Sequence, residues 1–260
     1  VGMGLMEPAG FAPEGFVGMF DKLQQANRIN DNGSWPYLRS HPLTTQRIAD
    51  MQSRLPSGGL TASSPSVLQA EHAMVTARAR VLSRPGVDVL RQWVAEPQGT
   101  GFAALPPARQ AGVLYAAALG SSQLRDAAGA RRWAGQLQQL VKGDAAATRL
   151  AKLLRAELER AADDAPAALA AMPPGDSRRP EMLLRTQIVL RTGQPQEVTG
   201  PLQTWLATHP RDASAWQAMA AVWNAQGQPL RAVRAEAEVH AARYDYAAAV
   251  DRFKAGQDLA

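Results

Sequence analysis

The apolar residues of this 260-residue chain recur at helical spacing almost throughout. Phe16, Met19, Phe20, Leu23 and Ala26 fall at i, i+3, i+4, i+7 and i+10 behind Pro13, which predicts an amphipathic helix with that stripe facing a core. Asn30-Asp31-Asn32-Gly33 supplies the turn residues that end it. A second helix opens at Pro42, where a missing N–H costs nothing, with Ser40 placed to cap the first turn. Thr44, Ile48, Met51 and Leu55 then share one buried face, while Arg47, Asp50 and Arg54 form a polar one. His41 stands at the mouth of this helix.

From Pro56 to Ser66, nine of eleven residues are Pro, Gly, Ser or Thr, so residues 57–66 are expected to link two domains, 1–56 and 67–260. Beyond the linker, Val67, Met74 and Val81 repeat every seven residues, as do Leu68, Val75 and Leu82, predicting a long helix to about Ser83. Glu71 and Arg78 interrupt that stripe. A cross-helix ion pair or a snorkelling stem is preferred to a ligand contact. Val87–Ala95 predicts a short helix, and two helix pairs are expected at about Pro107–Val141 and Asp144–Met172.

An internal repeat organises the C-terminal part. Gly193-Gln194-Pro195 returns as Gly227-Gln228-Pro229, 34 residues later. The same shift superposes Met182 on Trp216, Val189 on Trp223 and Val198 on Ala232. A 34-residue unit with a glycine between its two helices is the tetratricopeptide period, and Pro210 lies where such a unit closes. The consensus is degenerate, since Arg185-Thr186 and Met219-Ala220 occupy its Leu-Gly positions. The expected fold is all-α, a solenoid of antiparallel helix pairs ending on a helix from about Tyr246. Trp133, Trp205, Trp216 and Trp223 read as packing residues between repeat helices.

Bulk composition narrows the function without naming it. Absence of cysteine removes disulfides and thiolate metal sites, and no apolar run is long enough to span a membrane. The net charge of +5 arises entirely beyond residue 60. Its basic residues alternate with alanines and acids, instead of clustering with aromatics as a nucleic-acid surface would require. On one helix, Arg149, Lys152 and Arg155 oppose Leu150, Leu153, Leu154 and Leu158, a face that could hold an acidic segment of a protein partner. None of the four histidines is followed by Glu-x-x-His, so the zincin helix is missing and this stretch of chain should be catalytically silent by itself. His72 reads as a surface position, His209 as a turn residue and His240 as a packing or surface position. The opening Val1-Gly2-Met3-Gly4-Leu5-Met6 reads as the end of a helix, so an upstream segment is expected.

One resemblance adds to this picture. Ser40-His41-Pro42-Leu43-Thr44-Thr45-Gln46-Arg47-Ile48 is similar to the signature that closes the catalytic domain of HtpX-like zinc metallopeptidases. Gly10-Phe11-Ala12-Pro13 resembles the turn that follows the third zinc ligand in that family. With helical repeats behind, the match is to the BepA-type periplasmic branch, which carries a C-terminal tetratricopeptide domain. The resemblance implies that residues 1–56 are the last helices of a gluzincin-type domain and that the intact protein holds zinc through ligands upstream of Val1. It further implies that His41 approaches the metal or its bound water, as a ligand or an oxyanion donor, with Arg47 orienting nearby charge. The implied role is quality control of outer-membrane proteins, with the repeats docking substrates or assembly machinery. A non-catalytic repeat scaffold is the alternative.

Overall fold

The computed structural model describes residues 5, 8–9, 14–27, 49–50, 52–54, 66–172 and 178–258. These form twelve α-helices with no strand among the described residues, so the protein is all-α there. The chain divides into two compact units, Val1–Gln69 and Ala70–Ala260.

In the first unit, α1 (Glu14–Asn27) forms where the apolar spacing predicts a helix. Its buried face differs from the expected stripe: Val17 is enclosed, whereas Met19 is 47% exposed. Asp50 and Arg54 are solvent-exposed and pair at 3.0 Å across one turn, the arrangement expected for residues four apart on a polar face. His41 and Arg47 lie outside the described residues, as do the linker residues 57–65.

The second unit is built from helix hairpins. The run of helices is α2 (Ser66–Leu82), α3 (Val87–Ala95), α4 (Pro107–Gln123), α5 (Ala127–Leu140), α6 (Ala145–Ala161) and α7 (Ala165–Ala171). It continues through α8 (Arg179–Thr192), α9 (Gln196–Thr208), α10 (Ala213–Ala225), α11 (Pro229–Ala242) and α12 (Tyr246–Gln257). Pairs α4/α5, α6/α7, α8/α9 and α10/α11 are hairpins, and each second helix also packs on the first helix of the next pair. The first helices α4, α6, α8 and α10 touch in succession.

Local chemistry explains the boundaries. Aspartates 126, 144, 164, 212 and 245 each cap a following helix by accepting a backbone N–H, which satisfies donors that the helix itself leaves open. Gly193 and Gly227 end α8 and α10's turn at φ +75° and +68°, the left-handed region where a side chain is strained. That conformation is what the repeated Gly-Gln-Pro supplies.

Burial follows the pairing. One core cluster runs from Met74 through Leu114, Trp133 and Leu137 to Leu158, a small one surrounds Ala156, Ala168 and Ile188, and a third joins Met182 and Val189 to Leu202, Met219 and Trp223. Such serial clusters are expected where each hairpin buries its apolar face against its neighbours only. Of the two seven-residue rows expected on α2, Met74 and Val81 are buried, but Val75 and Leu82 remain exposed. One face of α2 is wanted by the neighbouring helix; the adjacent row points to solvent. The backbone oxygen of Ala73 lies 3.1 Å from where a Cβ on Gly112 would stand, so glycine is what lets α4 approach α2 so closely.

Candidate functional site

Arg78, expected as an interrupting charge on α2, reaches across two helices. Its guanidinium donates to Glu157 on α6 at 2.6 and 3.2 Å and to the Tyr115 hydroxyl on α4 at 3.2 Å. The preferred reading of that residue, a cross-helix ion pair, is what the structure contains. Burial pulls the Arg78 pKa down, but the hydrogen bond and charge of Glu157 outweigh it and hold it above the ordinary arginine value. Tyr115 is raised above the usual phenol range by burial, with Arg78 offsetting part of that rise.

These three residues form the polar end of a cleft of about 430 Å³. Its floor is aliphatic, made by Leu150, Leu153 and Leu154 of α6 with Pro180, Leu183 and Leu184 of α8. Arg149, Arg160 and Gln187 complete the polar lining. Leucines from two successive first helices line this space, and Tyr115 is the residue that α4 contributes. A size of a few hundred cubic ångströms, with apolar walls and a few directed polar groups, is typical of a ligand-binding cleft.

The sequence-predicted trio is separated by the fold. Arg149 turns toward α8, where its Nε lies 2.5 Å from the carboxylate of the fully buried Glu181. Arg155 instead pairs with Glu159 at 2.5 Å. Glu159 is almost completely buried and also accepts from Arg131 of α5 at 2.6 to 3.2 Å. Hydrogen bonding from Arg131 outweighs desolvation and lowers the Glu159 pKa. Lys152 is exposed and is not among the residues that line this cleft. Arg149 therefore belongs to the cleft, Arg155 to an α5–α6 tie, and Lys152 to the solvated surface.

Sequence reasoning did not single out Tyr115, Glu157, Arg160, Leu183, Leu184 or Gln187. The available signal was weak but present: Tyr115 is the lone aromatic in the Ala-rich α4, and Leu184 answers Leu150 one 34-residue repeat earlier.

A second cleft of about 440 Å³ lies among α9, α10 and α11, lined by Leu206, Trp216, Met219, Trp223, Arg231 and Arg234. Trp223 is buried there with the Arg231 guanidinium 4.8 Å from its ring centre, and Trp216 donates to the Pro210 carbonyl at 2.9 Å. Trp205 donates to Asp212 at 2.9 Å and stacks on His209 with ring centres 3.9 Å apart. Trp133 is buried in the first cluster. The tryptophans thus pack between helices, as their positions in the repeat suggest. His72 is exposed, and His240 lies 3.5 Å from Asp245.

Among the described residues, no three His, Asp or Glu side chains are disposed to hold a metal. The zinc implied for the longer protein finds no ligand set among them. No helix of the described residues is long and apolar enough to cross a membrane.

The fold and cleft define a class: an all-helical stack of antiparallel hairpins with an amphipathic groove between successive first helices. No protein-family model matches the chain, and no curated protein sequence matches it either.

Proposed function

We propose that the Ala70–Ala260 unit is a tetratricopeptide-type repeat module that docks an extended segment of a protein partner in the α6/α8 cleft. The observation that carries this reading is the leucine floor of that cleft, with partly exposed aliphatic side chains on two successive first helices. The 34-residue repeat and the hairpin-on-hairpin packing support it. Exposed leucines in a concave site gain by covering with an apolar partner.

In the wider reading, the chain is the C-terminal portion of an HtpX-like periplasmic zinc metallopeptidase of outer-membrane protein quality control. His41 and Arg47 border its metal site, and the repeats present substrate or assembly partners. The Ser40–Ile48 signature supports this.

Two measurements test the two halves. Leu153→Glu and Leu184→Glu should each abolish capture of peptides derived from outer-membrane proteins by the 260-residue chain; undiminished capture refutes the docking role. In the protein extended upstream, His41→Ala should alter zinc occupancy or proteolysis, and constancy of both refutes the peptidase assignment.

A further inference from the structure

The polar end of the α6/α8 cleft has more hydrogen-bond donors than acceptors. Three guanidinium groups line it, those of Arg78, Arg149 and Arg160. Arg78 is matched by Glu157 and Arg149 by the buried Glu181. Arg160 has no ion-pair partner among the described residues, and its Nε is buried without a hydrogen-bond acceptor. Tyr115 is almost fully buried; its hydroxyl accepts from Arg78, and its own proton meets no acceptor among the described residues. A buried donor left open costs about 1–3 kcal/mol, so two of them beside one open cleft mark a place for an acceptor that arrives from outside.

Spacing tells which acceptor. Leu153 and Arg160 are seven residues apart on α6, about 10 Å along the helix axis. Long helical side chains lean back toward the helix start by roughly a turn, about 5 Å. Both side chains lean this way, the longer arginine further, so the guanidinium stands less than about 10 Å from Leu153 along the axis. In an extended peptide, side chains two residues apart lie on one face about 7 Å from each other. A backbone carboxylate sits much closer to its own side chain than that.

We propose that the cleft selects an extended segment carrying an aspartate or glutamate two residues from an aliphatic side chain. The carboxylate is bound by Arg160 and Tyr115, and the aliphatic group rests on the half-buried Leu153 and Leu184. This rests on the docking role proposed above and specifies the partner's chemistry. Glu157 is held by Arg78 and does not compete for Arg160. Charge-assisted bonds from arginine to a carboxylate are among the stronger ones available in such a site.

The test uses the 260-residue chain and fluorescein-labelled, C-terminally amidated peptides with a central Leu-x-Glu or Leu-x-Gln, titrated by fluorescence anisotropy. Leu-x-Glu should bind about ten-fold tighter. Arg160→Gln should shrink that preference to less than about two-fold, Arg160→Lys should keep part of it, and Tyr115→Phe should reduce it by about three-fold. Thermal unfolding of each variant controls for folding, and Tyr115→Phe carries the test if Arg160→Gln does not fold. Equal affinity for the two peptides on the wild-type chain overturns the carboxylate inference while leaving docking intact. A preference that survives Arg160→Gln overturns the assignment to Arg160. A free-acid peptide ending in leucine that outcompetes internal Leu-x-Glu overturns the side-chain source. Failure of both peptides to bind, with Leu153→Glu making no difference, removes the docking role and this inference with it.

Discussion

Asp212 joins two roles that a single substitution can separate. It caps α10 by accepting from the backbone N–H groups of Ser214 and Ala215, at 3.1 and 3.2 Å. It also holds Arg179 of the preceding repeat through a bidentate contact at 2.6 and 2.9 Å, and accepts from the Trp205 indole. Hydrogen bonding from Arg179 is the leading cause that brings its pKa from the ordinary 3.8 down to about 2, against a smaller opposing effect of burial. At 1.36 kcal/mol per pH unit that gap corresponds to roughly 2 kcal/mol. Because Arg179 is 46% exposed, solvent screening reduces the expected contribution to about 1–2 kcal/mol. Its sign follows from the depressed folded value: the stability is present above pH 3.8 and is lost as the pH falls through about 2. Asparagine caps a helix nearly as well as aspartate, so Asp212→Asn removes the charge and keeps the cap. Urea unfolding followed by far-ultraviolet circular dichroism should show Asp212→Asn less stable by about 1–2 kcal/mol at pH 7. The two curves should converge between pH 4 and pH 2. Asp212→Ala should lose about 1 kcal/mol more, at every pH. A wild-type-minus-Asn difference that is flat from pH 5 to pH 2, or absent at pH 7, refutes the assignment of this stability to the ion pair.

Three further outcomes are expected. Leu137→Ala, at a fully buried position of the first core cluster, should cost about 2–5 kcal/mol in urea unfolding because the packed surroundings cannot close the cavity. Gly112→Val should lower the thermal midpoint measurably, since its Cβ alone would stand 3.1 Å from the Ala73 oxygen and the γ-methyls leave no room for α2. Arg125 is exposed and held at φ +65° between α4 and α5, so Arg125→Gly should raise stability by up to about 1 kcal/mol in the same assay, in contrast to Gly193→Ala, which should lower it by a similar amount.

The order of helices from Val87 to Tyr246 was legible because each helix must show its neighbours an apolar stripe, and a stripe at spacing 3–4 is visible without knowing the neighbours. The repeat was legible for the same reason: Gly193 and Gly227 occupy turns that demand a left-handed residue, and that demand recurs with the unit. The capping aspartates could also have been read from their positions before each helix, as an acceptor three residues ahead of an open N–H. Less was legible on α2, where Val75 and Leu82 look as buried as Met74 and Val81 until a neighbour takes one row and leaves the other.

What the sequence by itself determined, then, is local: where helices begin and end, which faces are apolar, and that the hairpins repeat. What only the tertiary structure decided is which charges meet. Arg149, Lys152 and Arg155 share a helix side on paper, yet Glu181, on the first helix of the next hairpin, claims Arg149, while Glu159 claims Arg155. Arg160 is left beside Tyr115 with an open donor. Arg155 and Glu159 are four apart on one helix, a pairing that helical spacing permits. An ion pair, however, needs both ends within about 4 Å, and Arg149 and Glu181 come from different hairpins. Helical periodicity carries no information about that distance.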